Sequence, residues 1–204
     1  MAADVVTRRA WETLLEEGIG QFPIKPRQIA RRRGYCVFTY GQYLEATGRS
    51  LLEVAQRYGT DGFTLQIHGE YAIFYNPTSP IPRIRWTLAH ELGHILLGHG
   101  AVCRFAQPVE GKSREDRQAD RFAADLLCPG PPLRRCGLHS AQELAKLCDL
   151  SGQAAEIQWA RLQREKDDSP LAQALAQAFV PFLQEYQALP PVATPLPARA
   201  FGRL

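Results

Sequence analysis

Cysteine pairs at metal-finger or disulfide spacing are absent from this sequence. Its five cysteines are an odd number and include no CxxC pair, which excludes a zinc ribbon and a disulfide scaffold. No segment approaches the roughly 18 consecutive apolar residues of a membrane-spanning helix, and the first residues contain no apolar segment of a secretory signal. We therefore expect a soluble cytoplasmic protein with reduced thiols and no membrane partner.

A strong charge of either sign is also lacking. The formal net charge is +3, and the apolar and charged fractions are 45% and 22%, as in ordinary globular proteins. So small an excess of positive charge does not by itself indicate binding to nucleic acid or to an anionic membrane. The densest basic stretch, at residues 25–33, is typical of a solvated helix face, with contact to an acidic partner as the alternative.

The periodicity and the turn residues predict a mixed α+β fold. A small sheet is expected from strands at 35–39, 63–67 and 71–75. The last two strands are joined as a hairpin around His68-Gly69-Glu70. Caps, glycines and prolines predict helices at 5–18, 26–33, 51–58, 82–97 and 114–127, two within 140–165, and one from 169 that Pro181 interrupts.

The same patterns divide the chain into three parts. Residues 1–135 contain the strands and the long helices and form the expected core. Residues 136–166 are similar to a helix-turn-helix unit and should pack on that core as a small helical subdomain. Residues 167–204 contain a C-terminal helix and a proline-rich tail, which should be extended or disordered beyond Leu189. Trimming from Pro190 onward should leave folding intact.

The predicted helix at 82–97 contains His90-Glu91-Leu92-Gly93-His94, an HExxH sequence. At about 100° per residue the two histidines lie about 40° apart, so both imidazoles can reach one ion. The other side of this helix is apolar, with Ile84, Leu88, Leu92, Ile95 and Leu96. This arrangement predicts a catalytic zinc site with Glu91 beside the metal as general base. The alternative is a chance HExxH whose histidines make ordinary hydrogen bonds.

A third protein ligand is needed by a catalytic zinc, and we expect it on the predicted helix at 114–127. Asp116 and Asp120 share one face of that helix at i and i+4, while Ala119 and Ala123 should permit a close approach to the first helix. We predict that Asp116 binds the metal and that Asp120 hydrogen-bonds a ligand histidine. A charged first turn favoured by the helix dipole is the alternative explanation.

Two other residues compete for the third-ligand position. Glu115 projects about 100° away from Asp116 and is the poorer ligand unless the helix start is unwound. His99 suggests the longer metzincin pattern, but Gly98 and His99 each stand one residue out of step. Helical projection places His99 roughly 180° from His90, on the core side. We therefore expect His99 to be a helix-end residue and not a ligand.

At this point the sequence resembles the ImmA/IrrE family of bacterial zinc metallopeptidases. The likeness rests on IRWTLAHELGHILLGH at 84–99 and DRQADRFAADLLCP at 116–129, and it extends upstream through segments at 61–64 and 71–83. It covers about residues 20–130. The family's second motif usually begins with glutamate, where this sequence has Asp116, which is one methylene shorter.

The resemblance implies a zincin-like fold and a zinc-dependent endopeptidase. Its substrate would be a specific partner protein, a helix-turn-helix transcriptional repressor encoded nearby. The group that stabilises the oxyanion is left open, with His68, Tyr71, Tyr75 and His139 as candidates on chemistry alone.

A non-catalytic regulator that has little metal and acts by protein or DNA binding is the alternative function. It is suggested by the helix-turn-helix pattern at 140–165. The helix that would enter a DNA groove begins with Ser151, Gly152 and Gln153, and its cations come late, from Arg161 onward. A helix that reads DNA usually has cations near its start. We therefore expect no direct nucleic-acid binding.

Overall fold

The computed structural model describes residues 4–99 and 112–188. Its helices are α1 Val5–Glu16, α2 Pro26–Arg32, α3 Tyr40–Thr47, α4 Leu51–Tyr58, α5 Ile81–Leu96, α6 Arg114–Leu127, α7 Gly130–Leu133, α8 Ala141–Cys148, α9 Gly152–Arg164, α10 Pro170–Ala178 and α11 Val180–Gln187. Its strands are β1 Cys36–Thr39, β2 Gly62–Ile67 and β3 Glu70–Tyr75. The predicted mixed α+β class is confirmed. The tail expected beyond Leu189 lies outside the described residues.

The sheet has the order β1-β3-β2, with β3 in the centre. β1 is parallel to β3, and β2 is antiparallel to it in the predicted hairpin. His68 and Gly69 form the turn with φ angles of 53° and 88°, as the two left-handed positions of a tight hairpin require. A Cβ atom added at Gly62 would lie 2.4 Å from Cγ2 of Thr87. The start of β2 therefore packs directly on α5.

The sequence pattern missed α3, which follows β1 without a loop. Thr39 caps this helix by accepting a hydrogen bond from the Gln42 backbone, while the Gln42 side chain accepts one from the Thr39 backbone. This T-x-x-Q capping box is readable in the sequence. Tyr40 and Tyr43 are both buried, and such aromatic residues are typical of strands as well as of helices.

The predicted break near Pro181 is confirmed, because α10 ends at Ala178 and α11 begins at Val180. The first helix ends at Glu16, two residues before the predicted end, and Gly18 follows in a left-handed conformation. Within residues 4–99 and 112–188, none of the helices has both the length and the hydropathy needed to span a bilayer.

Helices α5 and α6 pack closely in the centre of the main hydrophobic core. A Cβ atom added at Gly93 of α5 would lie 3.1 Å from Cδ1 of Phe122 and 3.2 Å from Cα of Ala119. Leu92, Ala119 and Phe122 are completely buried. The close approach expected from the small residues of α6 is therefore present, and it places the HExxH helix against the helix that carries Asp116.

Replacing Gly93 by valine should lower the free energy of unfolding by about 1–3 kcal/mol, since the added atoms overpack the contact between α5 and α6. The better helix propensity of valine offsets only part of this loss. Chemical denaturation measures the change. Gly152→Val is the matched control, because a Cβ at Gly152 meets no atom within 4 Å. Equal stabilities of the two variants would show that the helices are not tightly packed at Gly93.

Arg85 connects α5 to two distant parts of the chain. Its guanidinium donates hydrogen bonds to the backbone oxygens of Cys148 at 2.7 Å, Asp149 at 2.6 Å and Ile24 at 2.6 Å. The Asp149 carboxylate lies 2.9 Å from the same guanidinium. The turn between α8 and α9 and the segment before α2 are thus fixed to the helix that carries the HExxH residues. These contacts do not test the predicted boundary between the core and the helical subdomain at residue 136, which stays a prediction.

Candidate metal centre

The HExxH residues of α5 bring two imidazoles together on one side of the helix. Nε2 of His90 and Nε2 of His94 lie 3.0 Å apart, and their ring centroids are 4.7 Å apart. Both side chains are largely but not completely buried, with exposed fractions of 21% and 13%. Two histidine nitrogens thus face each other at a place that solvent still reaches, as a pair of metal ligands requires.

Asp116 of α6 supplies an oxygen to the same place. Its Oδ1 lies 3.5 Å from Nε2 of His94, and the ligand atoms of His90, His94 and Asp116 all lie within 4.8 Å of one another. Ligands 2.0–2.1 Å from a tetrahedral zinc are about 3.3 Å apart, so the nitrogen–nitrogen and nitrogen–oxygen separations suit such an ion. In residues 4–99 and 112–188 this is the one group of three such side chains that could hold a metal, and it does not include Glu115.

Asp120, one turn further along α6, contacts His90 at Nδ1, the ring nitrogen that faces away from His94. Its Oδ1 lies 2.9 Å from Nδ1 of His90, and its Oδ2 accepts a hydrogen bond of 2.5 Å from Lys112. Burial raises the pKa of Asp120, but the hydrogen bonds from His90 and Lys112 outweigh it and lower the pKa to about 2. An ionised Asp120 holds the proton of His90 on Nδ1, which leaves the Nε2 lone pair for a metal.

Replacing Asp120 by asparagine should weaken zinc affinity by roughly 10–100-fold. The amide fixes the His90 tautomer less strongly and lacks the negative charge that makes the imidazole a better ligand. Competition with a chromophoric chelator measures the affinity. Asp168→Asn is the control, since Asp168 is an exposed acid outside the site. Unchanged affinity in Asp120→Asn would remove the proposed orienting role.

Glu91 directly follows His90 on α5, and a hydrogen bond from the sheet restrains its side chain. Its side chain is only 8% exposed, and its Oε2 accepts a hydrogen bond of 2.7 Å from Oγ1 of Thr64 on β2. The buried Tyr40 lies near enough to Glu91 to respond to its charge. Burial raises the pKa of Tyr40, and the carboxylates of Glu91 and Asp61 raise that pKa further. Sequence reasoning missed Thr64, because no local pattern shows which strand residue meets α5.

A model of peptidase family M78, the IrrE N-terminal-like domain, matches residues 48–159, just over half of the chain. The chain belongs to this family. No curated protein and no solved structure matches it. The matched region contains the β2–β3 hairpin and both ligand helices, so the resemblance to ImmA/IrrE proteins is confirmed. Membership of a peptidase family supports a metallopeptidase-like function.

The aspartate of this M78 domain is oriented by the start of its own helix. Ser113 caps α6, and its Oγ accepts a hydrogen bond of 3.0 Å from the Asp116 backbone. In return, Oδ2 of Asp116 accepts hydrogen bonds from Ser113 N at 3.1 Å and Ser113 Oγ at 2.7 Å. The capping box therefore turns one carboxylate oxygen to the cap, while Oδ1 lies near His94. The S-x-x-D pattern at 113–116 is the sequence signal for this arrangement.

The expected position of His99 was wrong. Helical projection fails there, because α5 ends at Leu96 and Gly98 follows with a φ of 70°. This left-handed residue turns the chain back, so that the Nδ1 atoms of His99 and His94 lie 3.1 Å apart. The side of the His94 ring opposite the candidate ligand atom is thus in contact with His99. A glycine just after a helix is the local signal for such a reversal.

The four candidate oxyanion residues are spread over the M78 domain. His68 and His139 are exposed, Tyr71 packs edge-on against Tyr35, and Tyr75 is buried beneath the Arg27 guanidinium. Within the described ranges, no hydrogen bond, ion pair or ring contact joins any of these four residues to His90, Glu91 or His94. The structure therefore selects none of them.

Proposed function

We propose that this chain is a zinc-dependent endopeptidase with the metal bound by His90, His94 and Asp116. The observation that carries the proposal is the convergence of three ligand atoms, two from α5 and one from α6, within 4.8 Å of one another. The buried Glu91 directly follows His90 on α5. Two imidazoles and a carboxylate are a ligand set of catalytic zinc sites, which keep a further position open. The M78 match supports a peptidase.

When bound, zinc acts as a Lewis acid toward a water molecule and a peptide carbonyl. Glu91 takes a proton from the attacking water and passes it to the leaving amine. The hydroxyl of Thr64 donates to Oε2 of Glu91, which restrains the carboxylate in one orientation. Asp120 accepts from Nδ1–H of His90 and so keeps the ligand nitrogen unprotonated.

The substrate that we propose is a helix-turn-helix transcriptional repressor encoded near this chain, in the cytoplasm. The support is the family resemblance together with a general argument on specificity. A site open to generic peptides would damage other proteins, so selection should also use surfaces outside the site. Among the surfaces suggested by the sequence, α9 exposes Ile157 by 59%. Part of the 25–33 basic stretch is already engaged, since Arg33 pairs with Glu16 and Glu17.

Direct DNA binding by α8 and α9 is not part of this proposal. Arg161, the first of the late cations of α9, pairs with the buried Asp125 and with Glu165. A cation committed to such pairs is not available to a phosphate or to a base edge. A measured DNA affinity that falls steeply with salt would contradict this part of the proposal.

Co-expression of the chain with a neighbouring helix-turn-helix repressor tests the proposed function. We expect one discrete cut in the repressor, which is lost when a chelator is added to the purified pair. If no repressor is cut, yet a stable complex forms and changes DNA occupancy, the chain is a non-enzymatic regulator. General digestion of unfolded proteins would instead indicate a housekeeping peptidase and remove the argument for a specific partner.

A further inference from the structure

A cavity of about 510 Å³ lies between α1, α6, α7, α8, α9 and the segment that follows α9. This volume is in the range of small-molecule sites, about 300–1,000 Å³. None of His90, Glu91, His94 and Asp116 lines it. The cavity is therefore separate from the candidate metal centre, although α6 contributes residues to both.

One wall of this cavity is fixed by a buried carboxylate. Asp125 of α6 is completely buried and accepts hydrogen bonds from Thr7 at 2.7 Å, from Arg121 at 2.8 Å and from Arg161. Arg121 and Arg161 also pair with Glu165. These two arginines line the cavity, but their charges are balanced by carboxylates, and their role is to hold α1, α6 and α9 together.

The remaining cations of the wall lack such balance. They are Arg134, Arg164 and Lys166. Arg134 donates to the backbone oxygen of Glu165 at 2.8 Å and Arg164 to that of Ala160 at 3.1 Å. Across residues 4–99 and 112–188, no carboxylate lies within ion-pair distance of these three cations. Burial lowers the pKa of Arg134, and the more distant acids, Asp168, Asp167 and Glu165, raise it without outweighing burial. A half-buried guanidinium that has no carboxylate at ion-pair distance is stabilised when an anion binds beside it.

The cavity lining also includes apolar side chains and an unsatisfied donor. Leu133, Leu144 and Leu162 contribute apolar surface, together with Trp11, which is 4% exposed. Among the described residues, the buried Nε1–H of Trp11 has no hydrogen-bond partner. Buried indole N–H groups normally have one. The cavity lining thus has five cations against three carboxylates, which are Asp4, Glu165 and Asp167. It combines this excess of positive charge with the indole donor and an apolar surface.

We propose that this cavity binds a small organic anion, whose carboxylate or phosphate group contacts Arg134 and whose apolar body packs against Trp11 and Leu144. This site is additional to the proposed peptidase activity and does not depend on it. Arg134 follows α7, Trp11 belongs to α1 and Leu144 to α8. A bound anion would therefore connect three elements around the C-terminal end of α6.

Isothermal titration calorimetry of the zinc-loaded full chain tests this site, with benzoate and phenyl phosphate as probes. We expect saturable binding of at least one of them. Benzamide, which has nearly the shape of benzoate without its charge, should not bind. Arg134→Gln should weaken binding roughly tenfold or more, as expected for the loss of a charge-assisted contact. Arg135→Gln is the matched control, because Arg135 is exposed and does not line the cavity, and it should bind as the unmodified chain does.

Trp11→Phe provides a second variant should Arg134→Gln not fold. Phenylalanine keeps one aromatic ring at this position and removes the indole N–H and the second ring. The variant should also weaken binding. The proposal is overturned if neither anion binds, if benzamide binds as well as benzoate, or if the cavity variants bind like Arg135→Gln. In the last case the probe binds outside this cavity, as it would if a carboxylate or phosphate bound the zinc, which neither Arg134→Gln nor Trp11→Phe touches.

Discussion

Glu91→Gln should retain one zinc ion per chain and lower repressor cleavage by about 10²–10⁴-fold, the usual contribution of a general base. Glutamine has nearly the shape of glutamate and can still accept a hydrogen bond from Thr64, which contacts Glu91 at 2.7 Å. The amide cannot take a proton from water. Zinc content by elemental analysis and cleavage of the co-expressed repressor measure the two quantities separately.

The control for this substitution is Glu45→Gln, which changes an exposed glutamate of α3 in the same way and should leave cleavage unaffected. Cleavage by Glu91→Gln at the rate of this control would contradict the assigned role. If the variant loses zinc as well as activity, Glu91 is needed for the integrity of the site, and its function as a base is not demonstrated.

His94→Ala should lose most of its zinc. The variant removes one of three ligand atoms and should cost more than the about 10–100-fold in affinity expected for a residue that only orients a ligand. His139→Ala is the control, because His139 is exposed and lies outside the candidate site. Zinc content after purification without chelator gives the first comparison, and competition with a chromophoric chelator gives the affinity.

The third ligand is decided by comparing Asp116→Ala with Glu115→Ala. We expect only the first to release the metal, because Asp116 and not Glu115 belongs to the group of ligand atoms. Release of zinc by Glu115→Ala alone would mean that the start of α6 has a different register in the metal-bound protein. Such a result would leave the assignments of His90 and His94 unchanged.

The relative positions of residues on a single regular helix could be predicted from the sequence. His90 and His94 lie together because positions i and i+4 of a helix are neighbours, and Asp116 and Asp120 share a face of α6 for the same reason. The close packing of α5 and α6 could be expected from small residues, and a Cβ added at Gly93 would lie within 3.2 Å of Phe122 and Ala119, as that expectation requires. In these cases the geometry is local or follows from side-chain size.

Contacts that depend on where a helix ends or on how the sheet packs could not be predicted in this way. His99 contacts His94 because Gly98 reverses the chain, so continuing the helical projection placed it on the wrong side. Thr64 reaches Glu91 only because β2 packs on α5, which is a long-range contact. The cavity near Trp11 and Arg134 is formed by residues from well-separated parts of the chain, and no local pattern indicates it.

X-ray absorption at the zinc edge tests the central claim most directly, because it reports the atoms around the metal in the intact protein. For protein loaded with one zinc ion per chain, we predict a first shell of nitrogen and oxygen only, at about 2.0–2.1 Å, with the outer-shell scattering of two imidazoles. A sulfur shell at about 2.3 Å would place the ion on cysteine, and fewer than two imidazoles would remove the HExxH pair. Either result would contradict a zinc site made by His90, His94 and Asp116.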